Sequence, residues 1–284
     1  MIVNSTVKSF VKMNKFFIVL QVWLVLGTSL SIIAGRASAG ECRITLSQWQ
    51  ADNKRFYDEL EPTTFLDRRD RCGLTDCPDL RHPALMALLE RQNNRSGSIL
   101  EIGGGFGRAV SFLLHETSIP RIEVIEHSNA NMRILRDLYK RQARVRLHHQ
   151  SVLDPIPGLR VNVALWMWAG FLEVAPQHKP VALNNVYQIL NDGGFLVIDI
   201  PPVDTHLYTN ALFVNTAGRF LNLTLPGRRG TATIHLHFMS QPEIIEAAAT
   251  VGLIHIKTVN YVVPSSARSS TRFPTRTLLI FERE

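Results

Sequence analysis

The chain has 284 residues, of which 45% are hydrophobic and 19% are charged, and this balance excludes an intrinsically disordered chain. Three cysteines are too few to stabilise a chain of this length, so a hydrophobic core must supply most of the stability. The net charge of +7 includes four basic residues and no acid within residues 1–39, which leaves only +3 for the rest. So small an excess gives no case for nucleic-acid binding.

Residues 1–39 have the pattern of a targeting segment. The run from Phe16 to Ala34 contains no charge, follows three lysines and precedes the small residues Ala37-Ser-Ala39. This layout is typical of a cleaved signal peptide, and the run is also just long enough for an uncleaved membrane anchor. Because the positive flank stays in the cytoplasm, both alternatives predict a protein that is exported, or membrane-associated through residues 16–34, rather than cytoplasmic.

The three cysteines leave several pairings open. In an oxidising compartment Cys72 and Cys77 can pair, because the stretch that joins them contains Gly and turns tightly enough. A pair that includes Cys42, or three free thiols, are the alternatives. No second pair of ligands follows at a suitable spacing, so the sequence predicts no metal site.

Residues 40–97 are predicted to form an N-terminal helical segment, with helical spacing from Ile44 to Leu60 and a helix that begins at Pro83. Beyond it, strands alternate with helices. The predicted strands are Ser98–Ile102, Ile122–Glu126, Val145–His149, Val161–Met167 and Phe195–Ile200, and the predicted helices are Arg108–His115, Asn129–Gln142 and Lys179–Leu190. This alternation predicts an α/β fold in which helices cover both faces of a parallel sheet.

The pattern changes in the last eighty residues. Two alternating runs flank Pro226-Gly-Arg-Arg-Gly230 and predict a β-hairpin. Ser240 is expected to cap a helix that ends before Gly252, and two further strands are predicted at Ile254–Val262 and Arg276–Glu282. Asn191-Asp-Gly-Gly194 is predicted to be a turn that ends the preceding helix.

The most informative motif is Glu101-Ile-Gly103-Gly-Gly105-Phe-Gly107, which ends the first predicted strand and opens a helix. Glycines let a ligand approach the backbone, and the helix start offers free N–H groups. Glu126 ends the next strand, where a carboxylate can accept both hydroxyls of a ribose. A dinucleotide-binding fingerprint would need glycine at position 108, which is arginine here.

Residues 98–200 resemble the core of the class I S-adenosylmethionine-dependent methyltransferases. The glycine motif and Glu126 match that family's first motif and its ribose-binding acid, and a weaker likeness extends to residue 284. The resemblance implies a methyltransferase domain at 98–284 with a Rossmann-like seven-stranded sheet, helices on both faces and an antiparallel last strand. It also implies S-adenosylmethionine as cofactor, bound by Glu101, Gly103, Gly105, Gly107, Glu126, Ser151 and Val152.

Two positions depart from the family's usual residues, and both are polar without charge. Ser151 stands where an acid usually follows the third strand, and Asn162 stands where the fourth strand usually has aspartate. A serine hydroxyl still donates and accepts hydrogen bonds, but more weakly than a carboxylate accepts them.

Candidates for the acceptor pocket follow the fourth and fifth strands. Trp168, Phe171 and His206 are expected to line it, whereas Trp166 is expected in the core. Glu173 is expected to be a solvated acid at a helix start. The sulfonium methyl is already activated, so a general base is optional and the sequence assigns none.

The resemblance implies methyl transfer to oxygen or nitrogen of a small-molecule acceptor. The chain lacks the Asn/Asp-Pro-Pro-aromatic motif of nucleic-acid amino-methyltransferases after the fourth strand. One alternative is a non-catalytic binding protein with the same fold. The other is an aminopropyl transferase of the spermidine-synthase type, which would carry an acid where Trp166-Met-Trp168 stands.

Overall fold

The computed structural model describes residues 44–60, 77–93, 96–201, 212–213, 219–262 and 275–284. These residues contain six α-helices: α1 (Leu46–Glu59), α2 (Pro83–Glu90), α3 (Arg108–Glu116), α4 (Asn129–Tyr139), α5 (Lys179–Ile189) and α6 (Gln241–Ala249). They contain ten strands: β1 (Ser98–Ile102), β2 (Arg121–Glu126), β3 (Val145–His149), β4 (Val161–Trp166), β5 (Leu190–Ile200), β6 (Leu212–Phe213), β7 (Phe220–Gly227), β8 (Gly230–His237), β9 (Leu253–Val262) and β10 (Thr275–Arg283).

Seven strands form one mixed sheet in the order β3-β2-β1-β4-β5-β10-β9. Strands β1 to β5 pair in parallel, and β10 runs antiparallel to both β5 and β9. The predicted seven-stranded sheet with an antiparallel last strand is therefore confirmed. The strand order reverses between β1 and β4, which is where ligands bind in open α/β sheets.

The central strands are apolar on both faces because helices cover both. Ile99 on β1 packs into a core with residues of α2, α3 and α4, whereas its neighbour Leu100 packs on the opposite face with α5 and α6. Neither side chain is exposed to solvent. Continuous apolar runs such as β1 and β4 are the expected sequence of strands buried in this way.

The predicted turn at residues 191–194 takes a different form. Strand β5 already begins at Leu190, which pairs with Val161, and the register shifts before Phe195 pairs with Val163. Gly193 adopts a positive φ of 68° inside this irregularity. The two glycines therefore make a bulge within the strand rather than a turn before it, because the β4 edge continues to pair with the chain.

The predicted hairpin is present as β7 and β8, and it packs on α1. Phe56 and Leu60 of the α1 segment are buried against Ala232 and Ile234 of β8. At the hairpin tip, the carboxylate of Glu59 accepts hydrogen bonds from the backbone and the guanidinium of Arg229. The hairpin thus anchors the N-terminal helix.

None of the helices in the described ranges is long and apolar enough to cross a membrane. The predicted targeting segment 1–39, Cys42 and Cys72 lie outside the described residues. Cys77 is buried, and the Arg108 guanidinium donates to its sulfur at 3.7 Å.

A buried ion pair joins three strands of the sheet. The carboxylate of Asp199 on β5 is fully buried and accepts hydrogen bonds from the Arg276 guanidinium on β10 and the Tyr261 hydroxyl on β9. Burial, together with the charge of Asp199, raises the pKa of Tyr261, so this phenol stays a donor. Breaking such a pair leaves an uncompensated buried charge.

Asp199→Ala should destabilise the protein by about 3–5 kcal/mol, because Arg276 would stay buried without its partner. Asp192→Ala is the matched control, since Asp192 is 87% exposed and pairs with Arg283 at 3.3 Å. An exposed pair of this kind contributes about 0–1 kcal/mol. Urea unfolding at pH 7 measures the free energy of unfolding of both variants. Equal losses of this free energy would contradict the role assigned to Asp199.

Candidate functional site

A cavity of about 740 Å³ opens at the carboxyl ends of strands β1 to β4. Its wall is formed by the segments that follow these strands and by one face of α1. This position, beside the reversal of strand order, follows from the parallel sheet, because all four strands end at the same edge.

The glycine loop after β1 supplies the floor of the cavity. Gly103 and Gly105 line it and adopt φ values of 74° and 53°, which residues with a side chain rarely adopt. A Cβ atom at Gly103 would meet no atom within 4 Å, so the backbone faces open space there. The N–H groups of Gly103 and Gly104 donate to the Ile125 carbonyl, which ties the loop to β2.

Glu126 ends β2 and lies beside this loop. Its side chain is buried apart from the face that lines the cavity. One carboxylate oxygen accepts from the N–H of Gly105 and the other from the N–H of Ser128, each at 2.7 Å. A carboxylate has about four lone-pair positions, so these two bonds fix its orientation and leave acceptor capacity for a ligand.

Ser151 and Val152 also line the cavity, in the turn after β3. The Ser151 hydroxyl accepts from the Leu153 N–H at 3.1 Å, and this bond closes the turn. The structure therefore brings Gly103, Gly105, Glu126, Ser151 and Val152 together around one cavity.

Gly107 and Glu101 do not line the cavity among the described residues. A Cβ at Gly107 would lie 2.6 Å from the Tyr139 hydroxyl, so glycine is needed there for packing between α3 and α4. Glu101 is buried beneath the loop, and burial raises its pKa to about 8. Its Oε2 atom has no hydrogen-bond partner within the part of the chain that the structure describes.

The three predicted pocket residues have different outcomes. Trp168 lines the cavity, and its backbone N–H donates to Asp199 at 2.8 Å while its indole N–H donates to Asp79 at 3.1 Å. Phe171 was wrongly predicted: it is fully buried against Trp166, because the short helical turn after β4 directs it into the core. His206 lies outside the described residues.

Comparison with solved structures identifies the fold. The CcbJ methyltransferase from Streptomyces caelestis is similar, with a TM-score of 0.55 and 16% identity over 75% of this chain and 98% of that chain. The 1,6-didemethyltoxoflavin-N1-methyltransferase from Burkholderia thailandensis, bound to 1,6-didemethyltoxoflavin and S-adenosylhomocysteine, gives a TM-score of 0.56 and 16% identity over 89% and 97%. An S-adenosylmethionine-dependent methyltransferase from Methanosarcina mazei gives a TM-score of 0.56 and 12% identity over 71% of this chain and 97% of that chain. The chain has the class I methyltransferase fold.

Sequence comparison adds nothing to this result. No protein-family model matches the chain, and a search of curated proteins finds no match. At identities of 12–16% the likeness shows the methyltransferase fold alone.

Glu173 was wrongly predicted to be a solvated acid. In this methyltransferase fold it lines the cavity, and the Tyr57 hydroxyl on α1 donates to its Oε1 at 2.5 Å. Burial raises the pKa of Glu173 to about 7. The sequence signal was weak, because Tyr57 and Glu173 are 116 positions apart and only the packing of α1 brings them together.

A buried lysine lies close to Glu173. Lys179 is 2% exposed, and its ammonium donates to the Phe171 carbonyl at 2.5 Å and lies 4.1 Å from the centre of the Phe171 ring. Burial lowers the pKa of Lys179 to about 7, and the charge of Glu173 acts in the opposite direction. The side chain does not line the cavity among the described residues, so it acts on the site only through its charge.

The two histidines of β8 are held within the packing of the hairpin and α1. His235 is hydrogen-bonded to Asn222 and Asp52 and lies against Trp49, whereas burial lowers the pKa of His237 to about 4. Within the described ranges, no group of three His, Cys, Asp or Glu side chains is placed to hold a metal ion.

Lys179→Met should increase the free energy of unfolding over that of the native chain. This increase should be larger at pH 6 than at pH 10 by roughly 1–4 kcal/mol. The folded pKa of Lys179 is about 7, below the value of an unfolded lysine, so the unfolded chain holds the proton more tightly. The resulting penalty is complete below pH 7 and disappears as the pH rises to about 10.4, where the unfolded lysine titrates.

Chemical denaturation of the native chain and the variant at both pH values measures this effect. Lys140→Met, the same change at an exposed position after α4, is the matched control. A stability difference for Lys179→Met that stays the same at pH 6 and pH 10 would contradict the assigned titration.

Proposed function

We propose that this chain transfers a methyl group from S-adenosylmethionine to oxygen or nitrogen of a small-molecule acceptor. The observation that carries the proposal is the open glycine loop with Glu126 beside it, at the sheet edge where the strand order reverses. The solved structures with the same fold support it, since their names describe methyltransferases and one of them is bound to S-adenosylhomocysteine.

The residues present fit this cofactor. Gly103 and Gly105 leave room for a ligand against the backbone, and Glu126 has acceptor capacity for two ribose hydroxyls. The Ser151 hydroxyl lies in the turn where the family contacts the adenine, by the resemblance of that segment.

When bound, the cofactor supplies a sulfonium methyl group that is already activated for transfer. The chain must therefore hold an acceptor atom in line with that methyl group and exclude water. Trp49, Tyr57, Trp166 and Trp168 supply an aromatic wall on the side of β4 and α1. An acceptor with an apolar or ring-shaped body fits this wall, which gives the proposal its small-molecule substrate class.

Glu126→Ala should lower the affinity for S-adenosylmethionine roughly 10- to 150-fold, because it removes a charged acceptor of two hydrogen bonds worth about 1.5–3 kcal/mol. Isothermal titration with S-adenosylmethionine and S-adenosylhomocysteine measures the loss. The variant also frees the N–H groups of Gly105 and Ser128, so its thermal unfolding must be followed in parallel.

Glu126→Gln is the second variant, because an amide oxygen retains one acceptor while the charge is lost. Glu246→Ala changes an exposed acid on α6 and serves as the control. Unchanged affinity in Glu126→Ala would mean that the acid is wrongly assigned. Binding of the cofactor without transfer to any acceptor would favour the non-catalytic binding protein.

We also propose that residues 1–39 direct export or anchor the chain, as the pattern of Phe16–Ala34 predicts. A chain that begins at Gly40 should then be soluble and bind S-adenosylmethionine with the affinity of the full chain. Size-exclusion chromatography and titration measure both properties. Insolubility that is cured by restoring residues 16–34 in detergent would count against a pure targeting role.

A further inference from the structure

The pair formed by Tyr57 and Glu173 is built from two distant segments. Glu173 ends the short helical turn that follows β4, and both Glu173 and Tyr57 line the cavity. The Tyr57 hydroxyl on α1 donates to Oε1 at 2.5 Å. The backbone carbonyl of Glu173 also accepts from Trp49 and Asn53 of α1, at 2.7 and 3.0 Å. The two backbone bonds hold this segment against α1, and the Tyr57 hydrogen bond orients the carboxyl group.

The charges on the cavity wall favour a cation. Among the described lining residues, Glu126, Asp154 and Glu173 are acids, and Lys54 is the single lysine or arginine. Aromatic rings attract cations, and several aromatic residues line this cavity. The aromatic lining residues are Trp49, Tyr57, Phe106, Trp166 and Trp168. An amine that arrives as an ammonium ion therefore suits this cavity better than an anionic or neutral acceptor.

We propose that the methyl acceptor is an amine and that Glu173 takes the proton that this amine must lose before it reacts. The inference rests on the proposed function and names the acceptor class and the proton acceptor at the same site. Tyr57 is a positioning residue, because it touches Glu173 and not the reacting atoms.

The step balances in atoms and electrons. The Glu173 carboxylate accepts one N–H proton from the ammonium group, which frees the nitrogen lone pair. That pair forms the new N–CH3 bond while the S–CH3 bond breaks, and the electrons of the broken bond stay on sulfur as a neutral thioether. The methylated amine carries the positive charge, and Glu173 passes its proton to solvent when the product leaves.

The surroundings of Glu173 set the pH range in which it can accept a proton. Burial and the charge of Glu126 raise its pKa, whereas the Tyr57 hydrogen bond and the charge of Lys179 lower it, with a result of about 7. The group accepts a proton only when it is ionised, so the rate of transfer should fall as the pH drops below about 7. Loss of the Tyr57 hydroxyl should move this midpoint upward, because the ionised form loses a donor.

The test uses the full chain, labelled S-adenosylmethionine and two defined mixtures. One contains primary arylalkyl amines, such as tryptamine and phenethylamine, and the other contains the alcohols with the same skeletons. The proposal expects transfer to the amines. Transfer to the alcohols alone, or to neither mixture by a chain that binds S-adenosylmethionine, would overturn it.

Glu173→Gln is the decisive variant, since a glutamine oxygen can still accept from Tyr57 but cannot take the proton. We expect kcat for the amines to fall about 100-fold or more, with affinity for S-adenosylmethionine changed by less than about threefold. The rate that remains should lose the midpoint near pH 7. Glu246→Gln, the same change at an exposed site on α6, should leave kcat and the pH profile unchanged.

Tyr57→Phe distinguishes a positioning role of the Tyr57 hydroxyl from a general loss of structure. It should keep a midpoint that is shifted to higher pH, whereas a merely structural loss would lower kcat at every pH without moving the midpoint. An unchanged kcat or an unchanged midpoint in Glu173→Gln would overturn the role of Glu173 while cofactor binding and the proposed function stand. Absence of S-adenosylmethionine binding by the native chain would overturn the proposed function, and this inference with it.

Discussion

The buried carboxylate of Asp199 is the constraint on which the cavity depends. It accepts hydrogen bonds from Arg276 on β10, from Tyr261 on β9 and from the backbone N–H of Trp168. One side chain therefore joins the antiparallel end of the sheet to the cavity wall. The same contact holds Trp168 at a φ of 54°, which costs free energy for a bulky residue. A second buried pair, Asp79 with Arg108, holds the indole of Trp168 from the other side.

Two carboxylates divide the cavity into parts with different chemistry. Glu126 is held by backbone N–H groups, and its remaining acceptor capacity suits it to neutral hydroxyl groups. Glu173 is held by one phenol in a drier place, where burial raises its pKa to about 7 and suits it to a proton. The charge of Glu126 contributes to the raised pKa of Glu173, and a cationic ligand near both carboxylates would offset this repulsion.

The sequence predicted the fold well because its information is local. The apolar runs of β1 and β4, the glycine motif and the Ser240 cap each depend on neighbouring residues, and the structure places all of them as expected. Cavity residues that follow directly from a strand end, such as Gly103 and Glu126, were predictable for the same reason. The bulge in β5 was not, because it depends on which strand edge the chain continues to pair with.

The directions of the Glu173 and Phe171 side chains could not be predicted from local sequence patterns. They are two positions apart in one short helical turn, and their directions into the cavity or into the core depend on the backbone of Ala169, which has a φ of 66°. No periodicity predicts a left-handed alanine. The carboxyl group gains its chemistry only when α1 covers it, and α1 is held there by the hairpin through Glu59 and Arg229. The hairpin, which looks peripheral in the sequence, therefore helps to hold α1 over Glu173, where burial raises the pKa to about 7.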